Sequence, residues 1–255
     1  MAAVAWAFLF PTAGRVLAHG DLDGEIRNIT ERLAATPDDA FLYLRRANLH
    51  RTHEDWPAAE ADYAAARKLA PDLAAVDLAH GEMLLQKGDD NGAVNRLDCA
   101  LAREPRNPLT LVARGRALMA GGHPLPAAAD LAAAMEIMGK DAGPDLSLEQ
   151  AHALVAGGKS AEALGVLDAA ISRLGPVANL VLAAVDLEVD MGRSDAALDR
   201  LDTFASHQPR KERWLALRGA ILEKAGRPAE ARTAYAEAQA AITRLPDARR
   251  TVALV

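Results

Sequence analysis

Apolar residues along this chain follow a helical spacing that stops and restarts within short distances. In the first clear example, Tyr43, Ala47 and His50 lie on one face of a helix. After a short polar break, Ala59 and Tyr63 begin a second run with the same spacing. The pattern predicts two amphipathic helices, helix A and helix B, joined by a tight turn. Such a pair cannot bury its apolar face alone, so a neighbouring pair must stack against it.

The helix A and helix B pattern recurs at a nearly constant period. An alanine in helix B returns at intervals of 34, 34, 36, 34 and 34 residues: Ala59, Ala93, Ala127, Ala163, Ala197 and Ala231. Twelve residues before each stands a small or short residue: Ala47, Gly81, Gly115, Ala151, Val185 and Gly219. Four residues after each stands a large one: Tyr63, Leu97, Leu131, Leu167, Leu201 and Tyr235. The small positions predict close approach of helix A to helix B in every repeat.

Glycine and proline mark the ends of the predicted helices. The turn after helix A carries a glycine in the later five repeats, which are Gly88, Gly122, Gly158, Gly192 and Gly226. A glycine there can take the left-handed conformation that ends a helix. Pro71, Pro105 and Pro209 close three of the repeats. Period, alternation and closing proline resemble the tetratricopeptide repeat (TPR), a helix-turn-helix unit of about 34 residues.

The resemblance covers residues 40–245 and implies an all-α fold. It implies a right-handed superhelical solenoid of about six TPR repeats, preceded by an N-terminal capping helix. Composition agrees, because the chain is 51% hydrophobic but only 4% aromatic. An alanine-rich apolar content favours closely packed helices over a sheet.

The predicted organisation has four segments. They are a signal peptide at 1–18, an N-terminal capping helix in 19–39, the solenoid at 40–245 and a C-terminal tail at 246–255. The repeats are 40–73, 74–107, 108–141, 144–177, 178–211 and 212–245. The two-residue slip near Ala142 and Gly143 predicts a longer loop, either a tolerated surface insertion or a hinge. The last repeat is expected to be poorly covered, which leaves dimerisation, docking of a partner and fraying open.

The first eighteen residues resemble a Sec-type secretory signal of a bacterium. The apolar stretch Ala2–Phe10 precedes Pro11, Gly14 and the triplet Val16-Leu17-Ala18, which has small residues where a signal peptidase cleaves. No Lys or Arg stands at the start, which departs from the usual signal. The stretch is too short to span a bilayer, which needs about twenty residues. The expected location is therefore periplasmic or secreted, with a cytoplasmic protein as the alternative.

Little in the chain suggests catalysis. A net charge of -6 argues against nucleic-acid binding, which relies on a basic stripe. The segment 157–160 resembles the end of a phosphate-binding loop, but it lacks the leading glycine and the preceding strand. No nucleophile elbow, zinc-protease helix or dinucleotide turn is present, and the repeats leave no room for a catalytic domain. We therefore expect a non-enzymatic protein without a cofactor.

Histidines offer the only candidate metal ligands, and no metal site is predicted from them. His50 and His53 have an i, i+3 spacing, and His19 would become the amino terminus if cleavage followed Ala18. An amine and an imidazole on one residue can chelate copper, so a periplasmic copper-handling protein is one alternative function. His50 holds a position that is leucine in other repeats, which favours packing. The single Cys99 cannot form an internal disulfide and is expected to pack.

The TPR resemblance implies a concave groove lined by the A helices, where a peptide or helix of another protein binds. The groove-facing candidates are Phe41, Leu44, Asn48, Leu78, Glu82, Leu109, Val112, Arg116, Leu148, His152, Leu182, Asp186 and Arg213. Leu44 and Leu78 stand where chaperone-binding members of the family hold Lys, Arg or Asn, which argues against a carboxylate clamp. The apolar strip indicates a partner segment with hydrophobic anchors. Packing between A helices is the alternative reading of that strip.

The resulting prediction is a scaffold or adaptor that binds another protein, with no nucleic-acid partner and no membrane span. A cytosolic TPR scaffold is a further alternative. Arg46, Arg114 and Arg218 share the position just before the small residue of helix A, where their stems are expected to lie along the stack.

Overall fold

The computed structural model describes residues 19–244, and that part of the chain is built from α-helices. The helices are α1 (His19–Ala35), α2 (Ala40–Thr52), α3 (Trp56–Leu69), α4 (Ala74–Lys87), α5 (Asp90–Arg103), α6 (Pro108–Ala120), α7 (Pro124–Met138), α8 (Pro144–Ala156), α9 (Ser160–Leu174), α10 (Ala178–Asp190), α11 (Ser194–Ser206), α12 (Glu212–Lys224) and α13 (Pro228–Thr243). Because residues 19–244 contain no strand, the predicted all-α fold is confirmed. The predicted signal peptide and C-terminal tail lie outside the described residues.

The chain divides into two compact units, unit 1 (Met1–Gly121) and unit 2 (Gly122–Val255). Unit 1 contains α1 to α6 and unit 2 contains α7 to α13. Within each unit, most contacts join helices that follow one another in the chain. Further contacts join α2 to α4 and α4 to α6 in unit 1, and α8 to α10 in unit 2. Helical repeats that contact only their neighbours give this pattern.

The small residue of helix A meets the large residue of helix B directly. A Cβ atom added to Gly81 would lie 2.6 Å from Cγ of Leu97. A Cβ atom added to Gly219 would lie 2.6 Å from Cε1 of Tyr235. The predicted close approach is therefore confirmed in these two repeats, one in each unit.

The turns after helix A adopt the predicted left-handed conformation. The φ angles of the turn glycines are 84° at Gly88, 78° at Gly122, 76° at Gly158, 73° at Gly192 and 73° at Gly226. In the first repeat the equivalent residue is Glu54, which has φ 60° without being glycine. A side chain at positive φ is costly, so the first turn is more strained than the other five.

The capping helix α1 packs on the first repeat as expected. Ile29 and Leu33 of α1 form a small buried cluster with Leu42 of α2. The hydroxyl of Thr30 accepts a hydrogen bond from Arg46 Nη1 at 3.0 Å. α1 thus covers apolar side chains of α2.

The two extra residues near Ala142 are anchored within unit 2. A 3₁₀ turn, Gly139–Asp141, follows α7, and the next residue, Ala142, is buried. The Nη1 atom of Arg173 donates a hydrogen bond to the backbone oxygen of Ala142 at 2.8 Å. This contact ties the inserted segment to the end of α9.

Candidate functional site

The A helices of unit 1 expose two large apolar side chains at equivalent positions. Phe41 of α2 is 67% exposed, and Leu109 of α6 is 63% exposed. Leu44 and Leu78 are only half-buried and pack against the core of the unit, while Val112 is buried. Most of the predicted apolar strip therefore also serves packing, and the free apolar surface comes from Phe41 and Leu109.

Two polar candidates of unit 1 are already engaged with neighbouring side chains. The Oδ1 atom of Asn48 accepts a hydrogen bond from the Tyr63 hydroxyl at 2.7 Å. Burial raises the pKa of Tyr63 to about 12, so the hydroxyl keeps its proton and remains a donor. Glu82 Oε2 lies 3.7 Å from Arg51 Nη2. Arg116, the last candidate in this unit, is exposed on α6.

The candidates of unit 2 form a more polar set. Leu148 and Leu182 are half-buried, and Leu182 packs against the core of α10 to α13. His152, Asp186 and Arg213 are exposed. The guanidinium of Arg213 lies 5.2 Å from the ring centroid of Trp214. Unit 2 therefore presents mainly charged and polar side chains at these positions.

The arginines that precede the small positions bind carboxylates of helix B. Both oxygens of Asp62 on α3 accept hydrogen bonds from Arg46, each at 2.7 Å. Arg114 Nη1 likewise donates a hydrogen bond to Asp98 Oδ1 at 2.7 Å. Arg218 Nε donates one to Asp202 Oδ2 at 3.2 Å.

A second candidate site, the Asp77 cluster, was not predicted from the sequence. It consists of Asp77 with three arginines, Arg67 of α3 and Arg96 and Arg103 of α5. Asp77 Oδ1 accepts a hydrogen bond from Arg67 Nε at 3.0 Å, and Oδ2 accepts one from Arg103 Nη1 at 2.9 Å. Arg96 Nη1 lies 3.7 Å from Oδ1. The carboxylate itself is buried in the first turn of α4.

His80 lines the Asp77 cluster in a defined tautomer. Its Nδ1 lies 2.6 Å from Arg67 Nη2, and because arginine only donates, Nδ1 is the acceptor and Nε2 carries the proton. Within the described residues, Nε2 is buried without a hydrogen-bond partner. The ring stacks on Tyr63 at a centroid distance of 5.2 Å. Burial, followed by the charges of Arg67 and Arg96, lowers the pKa of His80 to about 4.

The repeat alignment contains the signal that would have revealed Asp77. Equivalent residues in the other repeats are Tyr43, Leu111, Ser147, Val181 and Leu215. A carboxylate at a position that is otherwise apolar or small cannot be buried without a specific partner. The partners stand 10, 19 and 26 residues away, and only the helix pairing brings them together.

Unit 2 contains a comparable buried acid with a different balance of charge. Glu188 of α10 accepts two hydrogen bonds from Arg200, at 2.9 Å from Nε and 2.7 Å from Nη2. The third donor atom of the same guanidinium, Nη1, lies 2.8 Å from Asp168. One arginine thus serves two acids.

The two candidate metal ligands that the structure describes, His50 and His53, each lie near a different carboxylate. His50 Nδ1 lies 3.7 Å from Asp55, and His53 Nε2 lies 3.7 Å from Asp23. Within the described part of the chain, no group of three His, Cys, Asp or Glu side chains could hold a metal ion. The side chain of His19 lies outside what the structure describes. The packing prediction for Cys99 is wrong, because its side chain is exposed on α5.

Comparison with known proteins identifies the family of these repeats. A model of the tetratricopeptide repeat-like domain matches residues 127–254, half of the chain. The chain belongs to the TPR family. No curated protein sequence matches it.

Solved TPR structures share the fold at low sequence identity. One is the C-terminal part of a TPR repeat-containing protein from Cytophaga hutchinsonii, with 14% identity, a TM-score of 0.70 and coverage of 92% of this chain and 94% of that one. Another is a TPR protein from Parabacteroides merdae, with 16% identity, a TM-score of 0.58 and 93% coverage of each chain. A third is YrrB, described as a TPR protein with an unusual peptide-binding site, with 23% identity, a TM-score of 0.59 and coverage of 71% and 92%. At these identities the likeness concerns the fold alone.

The TPR fold is that of a protein-interaction scaffold. Its members bind protein partners on surfaces made by successive repeats, and they are typically not enzymes. Among the described helices of this TPR chain, none is both long and apolar enough to cross a membrane.

Proposed function

We propose that this TPR protein is a non-enzymatic scaffold or adaptor that binds another protein through the faces of its A helices. The observation that carries the proposal is the exposure of Phe41 and Leu109 at equivalent positions of α2 and α6. Both side chains expose well over half of their surface in unit 1. Exposed apolar surface can mark a site of protein interaction, and these two are the exposed large hydrophobic residues on the described A helices of unit 1.

The partner segment proposed for unit 1 carries apolar anchors. Phe41 and Leu109 offer apolar contacts, and the half-buried Leu44 and Leu78 lie on the A helices α2 and α4 of the same unit. An extended or helical segment with spaced hydrophobic side chains suits such a surface. The similarity in fold to YrrB, a protein described by its peptide-binding site, supports this choice of ligand.

The predicted domain organisation and location form part of the proposal. We infer that residues 1–18 are removed as a signal peptide and that the protein works in the bacterial periplasm. The apolar stretch 2–10 and the small residues at Val16 and Ala18 support export. Intact mass of the protein from fractionated host cells tests this. A periplasmic form beginning at His19 is expected, whereas a cytoplasmic form retaining Met1 would contradict export.

The binding proposal is tested by crosslinked pull-down from the native host with the full chain as bait. The test variant carries Phe41→Asp and Leu109→Asp, both at exposed positions that the fold does not require. The matched control is Leu69→Asp on helix B of the same unit, where the side chain is 38% exposed. We expect the double variant to lose a specific partner that the control retains. Equal recovery by all three baits, with unchanged helical circular dichroism, would remove the A-helix face from consideration.

A further inference from the structure

The Asp77 cluster carries more positive charge than its buried acid can neutralise. Arg67, Arg96 and Arg103 each approach the Asp77 carboxylate to 3.7 Å or less. Three cations therefore surround one carboxylate, and the cluster has a net charge of about +2.

The excess charge faces solvent, and the compensating carboxylate does not. The Asp77 side chain is 2% exposed, whereas Arg67, Arg96 and Arg103 are 27%, 35% and 31% exposed. The solvent-accessible part of the cluster therefore belongs to the three arginines and not to Asp77. Such partly desolvated guanidinium groups form stronger ion pairs than fully exposed ones do.

Burial of Asp77 alone does not require three arginines. Arg67 and Arg103 together satisfy both carboxylate oxygens. Within the described residues Arg96 makes no hydrogen bond and approaches Asp77 Oδ1 only to 3.7 Å, while the like charges of Arg67 and Arg103 repel it. Two other buried acids show the smaller requirement, because Asp62 and Glu188 each accept two hydrogen bonds from a single arginine.

We propose that Arg67, Arg96 and Arg103 form a binding site for a phosphate-type dianion. A phosphate group carries about -1.5 to -2 charges at pH 7 and three acceptor oxygens, which matches the net charge of the cluster. Arginine forks recognise phosphate oxygens in pairs, and Arg96 makes no hydrogen bond within residues 19–244 that would compete with this role. The phosphate group comes either from free inorganic phosphate or from a phosphorylated serine of a bound protein. The site involves neither Phe41 nor Leu109, so it stands apart from the proposed partner surface.

Titration of the full chain with inorganic phosphate at constant ionic strength tests the proposal. Nuclear magnetic resonance of the arginine side chains, or calorimetry, is expected to show saturable 1:1 binding. Loss of a charged hydrogen bond predicts that Arg96→Gln weakens this binding about ten- to a hundredfold. The matched control Arg218→Gln removes one cation that pairs with the exposed Asp202 instead, and we expect it to keep the wild-type affinity.

Several outcomes distinguish the source of the phosphate or overturn the site. Tighter binding of O-phosphoserine than of inorganic phosphate indicates a phosphorylated partner, and the reverse order indicates the free ion. Acetate, a monoanion, is expected to bind more weakly than either. If Arg96→Gln does not fold, Arg96→Lys keeps the charge without the fork, and weakened but saturable binding is then required. Absence of saturable binding, or an equal loss in both arginine variants, overturns the proposal.

Discussion

Two buried acids, Asp77 in unit 1 and Glu188 in unit 2, interrupt the apolar pattern of the repeats, and they differ in the number of arginines around them. Both stand at positions that are mostly apolar in the other repeats, and both are held by arginines of helix B. Asp77 is surrounded by three cations, while Glu188 shares one arginine with Asp168. At both positions a buried carboxylate is accommodated by an arginine of helix B. The number of arginines decides whether the cluster also attracts a further anion.

Neutralising the two acids gives the largest expected contrast. Asp77→Asn leaves three guanidinium groups without their shared counter-charge, and breaking a buried ion pair costs about 3–5 kcal/mol of unfolding free energy. In Glu188→Gln, Arg200 keeps its ion pair with Asp168, so we expect a loss of only about 1 kcal/mol in the free energy of unfolding. Urea denaturation of both variants measures the difference. Equal losses would show that the two clusters are energetically alike.

The pH dependence that His80 gives to the free energy of unfolding is the next largest expected effect. The pKa of His80 is about 4 in the folded chain and near 6.5 when unfolded. Between these values only the unfolded chain takes up the proton, so stability falls as pH is lowered from 6.5 to 4, by about 2–3 kcal/mol. His80→Gln keeps an acceptor for Arg67 and cannot be protonated. We expect the difference in unfolding free energy between wild type and variant to shrink across this window. A pH-independent difference would contradict the assignment.

Larger residues at the small positions of helix A allow a direct comparison of packing in the two units. Gly81→Val drives a side chain into the fully buried Leu97, and overpacking of this kind costs about 2 kcal/mol. Gly219→Val meets Tyr235, which is 38% exposed and can move, so about half that loss is expected. Thermal unfolding followed by circular dichroism ranks the two variants. A larger loss for Gly219→Val would mean that Tyr235 is held more firmly than its exposure indicates.

The turn of the first repeat gives the smallest expected change in stability, and that change is a gain. Glu54→Gly places glycine where the later five repeats have it, and relief of the positive φ predicts a gain of about 0.5 kcal/mol. Gly88→Ala makes the reverse change at the equivalent turn and is expected to lose about 1 kcal/mol. The midpoints of urea unfolding give both values. A loss in Glu54→Gly would show that the Glu54 side chain contributes more than its backbone costs.

The sequence predicted the structural features that recur from one repeat to the next. The period specified the close contact of Gly81 with Leu97 and the left-handed turn at Gly88, because both depend on residues at fixed offsets. Asp77 and its arginines were missed because they depart from the repeat, and their contacts arise only when α3, α4 and α5 pack together. Cys99 was expected to pack as a small apolar residue, but it is exposed beside the buried Ala100, because one step along a helix turns a side chain by about 100°.

The most direct test of partner binding places a photocrosslinking amino acid at single positions of the full chain in the native host. Positions 41 and 109 lie on A helices of unit 1, and position 69 lies on helix B. The proposed function predicts that one partner is captured from both 41 and 109 and not from 69. Capture from 69 alone, or from none of the three, would contradict binding through the A-helix face.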